Sequence, residues 1–239
     1  MISSSFKNNV LLSVFAFVFS LGILSKAHWP YAILFSLSIF ASYQWLYERK
    51  NHWGYLVLAG LAGIGYCVLL SPFSWAFVIY LVLGLLVLTY EKGIKWRKIP
   101  FLKPIFISIC WFTLGIGIPK FALYGFIPNQ DFSHIILFLV LAIVEDLEDK
   151  AVDEGHIKTI PLYLTKSTTD ALISIWLFSY LALSSRIDLF SERIEIKMLS
   201  VVLAIAPFIY FIYLKKSPKI NHRYFDFILF LIGLLHLLV

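Results

Sequence analysis

Apolar residues in this chain come in blocks rather than alternating with polar ones. Nine blocks can be drawn, at 9–25, 30–47, 53–71, 73–90, 101–119, 132–147, 169–185, 198–214 and 222–239. Most approach the roughly 17–25 residues that an α-helix needs to cross a bilayer. Blocks this continuous lack the strict alternation of a transmembrane β-barrel. In lipid the backbone must satisfy its own hydrogen bonds, so the blocks read as helices. The predicted fold is an all-α membrane protein, nine transmembrane helices forming a single domain over residues 1–239.

Composition supports this. The chain is 60% hydrophobic and 14% charged, against about 45–50% and 25% in soluble domains. A soluble protein of this size needs a more polar skin, which argues against a soluble enzyme, a nucleic-acid binder and a secreted disulfide scaffold. The net charge of +6 then reads as basic cytoplasmic loops, not a polyanion site. With the N-terminus inside, only Lys26, Lys120, Arg186, Arg193 and Lys197 fall outside, and the rest of the 20 Lys and Arg fall inside. That asymmetry favours an odd number of spans. The first block has a signal-peptide-like pattern, Lys7 before an apolar stretch and Ser25-Lys26-Ala27 after it, but a span is the preferred reading. Cys67 and Cys110 lie in apolar blocks and read as packed thiols. No Walker loop, zinc signature or Gly-x-Ser-x-Gly elbow occurs.

The acids depart from the basic trend. Glu145, Asp146, Glu148, Asp149, Asp153 and Glu154 crowd the inner end of the sixth block. Asp146, Asp149 and Asp153 are spaced i, i+3, i+7, which places them on one helix face. Three carboxylates so placed repel one another unless a cation sits among them, and hard oxygen donors suit Mg²⁺ bridging to a diphosphate. Ionisable groups on membrane helices are costly and are functional by default. A small transporter is the weaker reading, because these acids lie at a helix end rather than mid-membrane.

Asp146-x-x-Asp149-x-x-x-Asp153, then Gly155, then Ile157-Lys158-Thr159-Ile160-Pro161 resembles the second aspartate-rich motif of the UbiA superfamily of intramembrane prenyltransferases. His156 intervenes between the glycine and the Ile-Lys-Thr, where the family has none. The family's first motif, of the form NDxxDxxxD, lies at the inner end of the second helix. Here that stretch runs from Ser42 to His52. Gln44 takes the Asn position and Glu48 an Asp position, while Trp45 and His52 stand where acids are expected. The first motif is thus degenerate.

The resemblance implies transfer of a prenyl group from a prenyl diphosphate to a lipophilic, possibly aromatic, acceptor. It implies Mg²⁺ as cofactor, with Asp146, Asp149, Asp153 and Glu48 as catalytic metal ligands and Gln44 beside them at the substrate. It also implies an integral membrane location, in a bacterial plasma membrane. The basic loop from Tyr90 to Pro104 carries Lys92, Lys95, Arg97, Lys98 and Lys103. It serves the positive-inside rule, and Arg97, Lys103 and Lys158 are candidates to bind phosphate oxygens. Trp45, Tyr66, Trp75, Tyr80, Trp111 and Tyr124 are core or interfacial aromatics, or the lining of a prenyl cavity. Gly60, Gly63, Gly65, Gly115 and Gly117 read as helix-packing residues. The eroded first motif keeps an alternative open: a UbiA-fold protein that binds a prenyl lipid or a membrane partner without catalysis.

Overall fold

The computed structural model describes residues 4–47, 52–69, 75–91, 99, 101–148, 160–188, 205 and 223–238. The helices are α1 (Ser4–Leu24), α2 (Trp29–Tyr47), α3 (His52–Leu69), α4 (Trp75–Glu91), α5 (Leu102–Phe112), α6 (Ile118–Tyr124), α7 (Ser133–Glu148), α8 (Ile160–Tyr163), α9 (Lys166–Asp188) and α10 (Arg223–Leu238). A π-helical segment, Thr113–Gly117, follows α5 and precedes α6 in an unbroken helical run. No strand occurs among the described residues. Every apolar block except 198–214 coincides with a helix. That block lies outside the described residues apart from Ile205, which is helical.

Two described helices are long and apolar enough to cross a membrane: Lys7–Leu24 within α1, and the helical run Leu102–Tyr124. The others fall short of that length or apolarity. α4 and α7 have 17 and 16 residues, and α2 carries Ser, Tyr and Gln side chains that lower its hydropathy.

The backbone gathers into two compact units. The first comprises α1 to α4, the π-helical segment, α6 and the end of α10 from Ile232. Its helices are tied by side-chain hydroxyls that reach neighbouring backbone carbonyls. Ser36 Oγ donates to Ser13 O at 2.8 Å, and Tyr80 Oη donates to Ala59 O at 2.7 Å. Hydrogen bonds of this kind fix one apolar helix against the next.

The π-helical segment has a local cause. Pro119 lacks an N–H, so the carbonyl four residues earlier, on Gly115, loses its helical donor. Ser20 Oγ supplies one instead, at 2.9 Å, and Tyr66 Oη donates to the adjacent Leu114 O at 2.9 Å. The widened turn also lets the fully buried Phe35 ring lie against Gly115, where a Cβ would approach it to 2.9 Å. α6 stops at Gly125, which is left-handed at φ 75° and donates its N–H to Phe121 O at 2.8 Å. α1 and the end of α10 cross closely at two glycines. A Cβ on Gly22 would meet the Gly233 carbonyl, and one on Gly233 would meet the Val18 carbonyl.

The second unit comprises α5, α7, α8, α9 and the start of α10. α7 is its central helix. The consecutive residues Val140, Leu141, Ala142, Ile143 and Val144 are all buried, so the helix is enclosed on every side over more than a turn. α9 presents Ile173, Leu177 and Tyr180, an i, i+4, i+7 stripe that is fully interior.

Candidate functional site

Lys103 and Asp146 form a buried ion pair in the second unit. Lys103 Nζ donates to Asp146 Oδ1, and the two side chains are 6% and 1% exposed. Lys103 lies in the first turn of α5, where Pro104 is tolerated because first-turn N–H groups have no helical acceptor. Asp146 lies in the last turn of α7. The tilted contact of Trp111 on Phe138, with centroids 5.5 Å apart, lies about two turns further along each helix. The two contacts together set α5 antiparallel to α7. Each charge sits at the helix end whose dipole disfavours it, the lysine at an N-terminus and the aspartate at a C-terminus. Meeting across the helix ends compensates both, in a setting where either charge alone is very costly.

Gln44 is placed differently. It lies in the last turn of α2, in the first unit, and is 0% exposed. Neither Nε2 nor Oε1 has a hydrogen-bond partner among the described residues. A buried carboxamide in that state has its binding capacity in reserve, at a cost of about 1–3 kcal/mol. Asn9, on α1, was not singled out in the sequence. It is 6% exposed, and its Nδ2 likewise has no partner among the described residues. The Ser13–Ser36 hydrogen bond fixes the register of the hairpin. Asn9 is then one turn from Ser13 and Gln44 two turns from Ser36, towards the same end. The available signal was weak, because Asn9 follows Asn8 at the polar edge of its apolar block. A second interior polar group that sequence reading passed over lies at the start of α7. There the buried Asp131 and His134 are joined by a 3.0 Å contact between His134 Nδ1 and Asp131 O.

Glu48, Arg97, Asp149, Asp153 and Lys158 lie outside the described residues. Among the described residues, no group of three His, Cys, Asp or Glu side chains is arranged to hold a metal. Carboxylate and carboxamide oxygens are the donors Mg²⁺ takes, but Asp146 already has an ammonium as its counter-ion.

The aromatic candidates divide. Tyr66 is fully buried and lies 5.5 Å from Tyr80, and Trp111 is buried against Phe138. Trp75 and Tyr124 are 81% and 51% exposed, which places them on the outer surface. Gly63 and Gly65 take up Tyr80 and Leu34 as packing residues, whereas Gly60 faces open space. Cys67 and Cys110 are both free thiols.

No family model matches the sequence, and no curated protein matches it. Solved structures share the fold. A UbiA homolog from Archaeoglobus fulgidus bound to Cd²⁺ superposes with a TM-score of 0.71 at 16% identity, over 98% of this chain and 94% of that chain. A structure of a UbiA homolog from the same organism bound to GPP and Mg²⁺ gives 0.72 at 15% identity, over the same 98% and 94%. The chain has the UbiA fold.

Proposed function

We propose that the chain is an integral membrane enzyme that transfers a prenyl group from a prenyl diphosphate to a lipophilic acceptor. The observation that carries this reading is the buried Lys103–Asp146 pair at the head of the aspartate-rich motif, on a fold whose solved example binds GPP and Mg²⁺. The outer surface supports membrane embedding. Val57, Leu61, Ile64 and Val68 form one stripe of α3 and are 58% to 73% exposed. Trp53 and Trp75, at helix starts, are 80% and 81% exposed, as in the aromatic belts of membrane proteins.

In the proposed reaction the allylic C–O bond breaks and its electron pair leaves with the diphosphate. The prenyl carbon then bonds to the acceptor, which loses a proton. Mg²⁺, when bound, neutralises the charge developing on the leaving diphosphate. Asp149 and Asp153 are its proposed ligands, with Glu48 from the first motif. Asp146 acts with Lys103. Arg97 and Lys158 bind phosphate oxygens, and the Gln44 amide contacts the polar head of the substrate. The apolar interior keeps water from the reacting carbon.

The degenerate first motif, with Trp45 and His52 where acids are expected, favours a second reading in which the diphosphate or prenyl lipid is bound and not turned over. Lipid extracts of cells with and without the protein separate the two. A prenylated lipid that disappears with the protein is the expected result and names both substrates. Identical extracts, with GPP binding retained in the purified protein, favour the binder.

A further inference from the structure

Resting on the diphosphate reading above, we propose that Asn9 is a further substrate-binding residue, which donates with Gln44 to the phosphate oxygens of the prenyl diphosphate. Both carboxamides belong to the first compact unit, on α1 and α2 of one hairpin. They are 6% and 0% exposed, and Asn9 Nδ2, Gln44 Nε2 and Gln44 Oε1 have no partner among the described residues. Ser13, one turn along the same face of α1, donates its hydroxyl to the Asn9 carbonyl and leaves the Asn9 amide unserved. Unmet polar groups this deep are rare in folded chains and destabilise them unless a ligand or an ordered water completes them.

The register brings the two amides to one height. With Ser36 Oγ donating to Ser13 O, Asn9 and Gln44 lie one and two turns further towards the same end. Their Cα atoms therefore differ by about 6 Å along the hairpin. Side chains tilt towards the N-terminus of their own helix, and α1 and α2 run in opposite directions. The tilt carries each amide towards the level of the other.

The chemistry of the open groups selects the ligand. Two NH₂ groups offer four N–H donors against one open carbonyl oxygen. A ligand rich in acceptors fits that balance, and a diphosphate is one. A single hydroxyl or carbonyl would leave most of the donors unmet. Lys7, just before Asn9, is exposed, and so are Val10, Leu11 and Val14 after it. The amides thus lie where a charged surface passes into an apolar one, as the head of a prenyl diphosphate requires. Ordered water would meet some of the same donors, but diphosphate affinity would then ignore the loss of Asn9.

The test uses the full chain in lipid nanodiscs with Mg²⁺, titrated with GPP, and with inorganic diphosphate as a competitor. Asn9→Leu is expected to weaken GPP binding about tenfold and to weaken competition by inorganic diphosphate as much. It is also expected to raise the unfolding midpoint of the free chain, because an unmet donor is removed. Asn9→Ala adds no bulk and is expected to show the same loss of affinity, which decides the matter if the leucine is not accommodated. Native affinity in Asn9→Ala, or in a folded Asn9→Leu, would overturn the proposal and leave the amides to water or to a phospholipid phosphate. A native chain that binds no GPP overturns the diphosphate reading itself, and this inference with it.

Discussion

A carboxylate and an ammonium enclosed by apolar helices are worth little net stability as a pair and much as separate losses. Asp146→Ala, which leaves Lys103 buried without that counter-ion, is expected to cost about 3–5 kcal/mol. Lys103→Met/Asp146→Leu should recover most of that loss, and reversible unfolding in mixed micelles would read the difference. If the double variant is no more stable than the single one, the pair is not the enclosed one described. Gln44 makes the opposite case. Its amide has no partner among the described residues, so Gln44→Leu is expected to stabilise the free protein by about 1 kcal/mol while lowering GPP affinity. A thermal shift upward together with weaker binding is the signature. A shift downward would mean that the amide is engaged in the free protein.

At the scale of elements, the helical run from α5 through α6 shows how one residue sets a backbone. Pro119 leaves Gly115 O without its helical donor, and Ser20 supplies the replacement from α1. Ser20→Ala is expected to cost about 0.6–1.7 kcal/mol, the usual range for interhelical hydrogen bonds in membranes. In a Pro119→Ala background a backbone N–H returns to position 119 and that cost should largely vanish. A double-mutant cycle measures this, and equal costs in both backgrounds would contradict the assignment. The Gly22–Gly233 crossing permits no side chain. Gly233→Leu would drive a branched side chain against the Val18 backbone and is expected to cost about 1–3 kcal/mol, as overpacking does, seen as a lowered unfolding midpoint.

At the scale of the whole molecule, the apolar blocks were legible as helices because continuous apolar runs of this length, without alternation, fit a helix far better than a strand. The described blocks overlap the helices closely, although Lys166–Asp188 and Leu102–Tyr124, at 23 residues each, run beyond their blocks. The π-helical turn was not read from the sequence, although Pro119 in an apolar run was its signal, because the carbonyl acceptors are satisfied by Ser20 and Tyr66 from distant positions. The site was legible by residue type. Lys103 and Asp146 stood out as charges on apolar helices, but their pairing depends on the antiparallel register of α5 and α7, which no local pattern encodes. Asn9 was missed because Asn8-Asn9 after Lys7 reads as the polar edge of an apolar block, not as part of its interior. Gln44 was found only through the family pattern, not through its burial.

The proposed reaction is cleavage of a prenyl diphosphate at the aspartate-rich helix end of this UbiA-fold chain. The most direct measurement is diphosphate release from GPP by the purified chain in nanodiscs containing a lipid extract, with Mg²⁺, with EDTA and with Asp149→Asn. Release that requires Mg²⁺ and falls about a hundredfold or more in the variant is the predicted result. Release that is indifferent to both EDTA and Asp149→Asn, or no release from a folded chain that binds GPP, would contradict it.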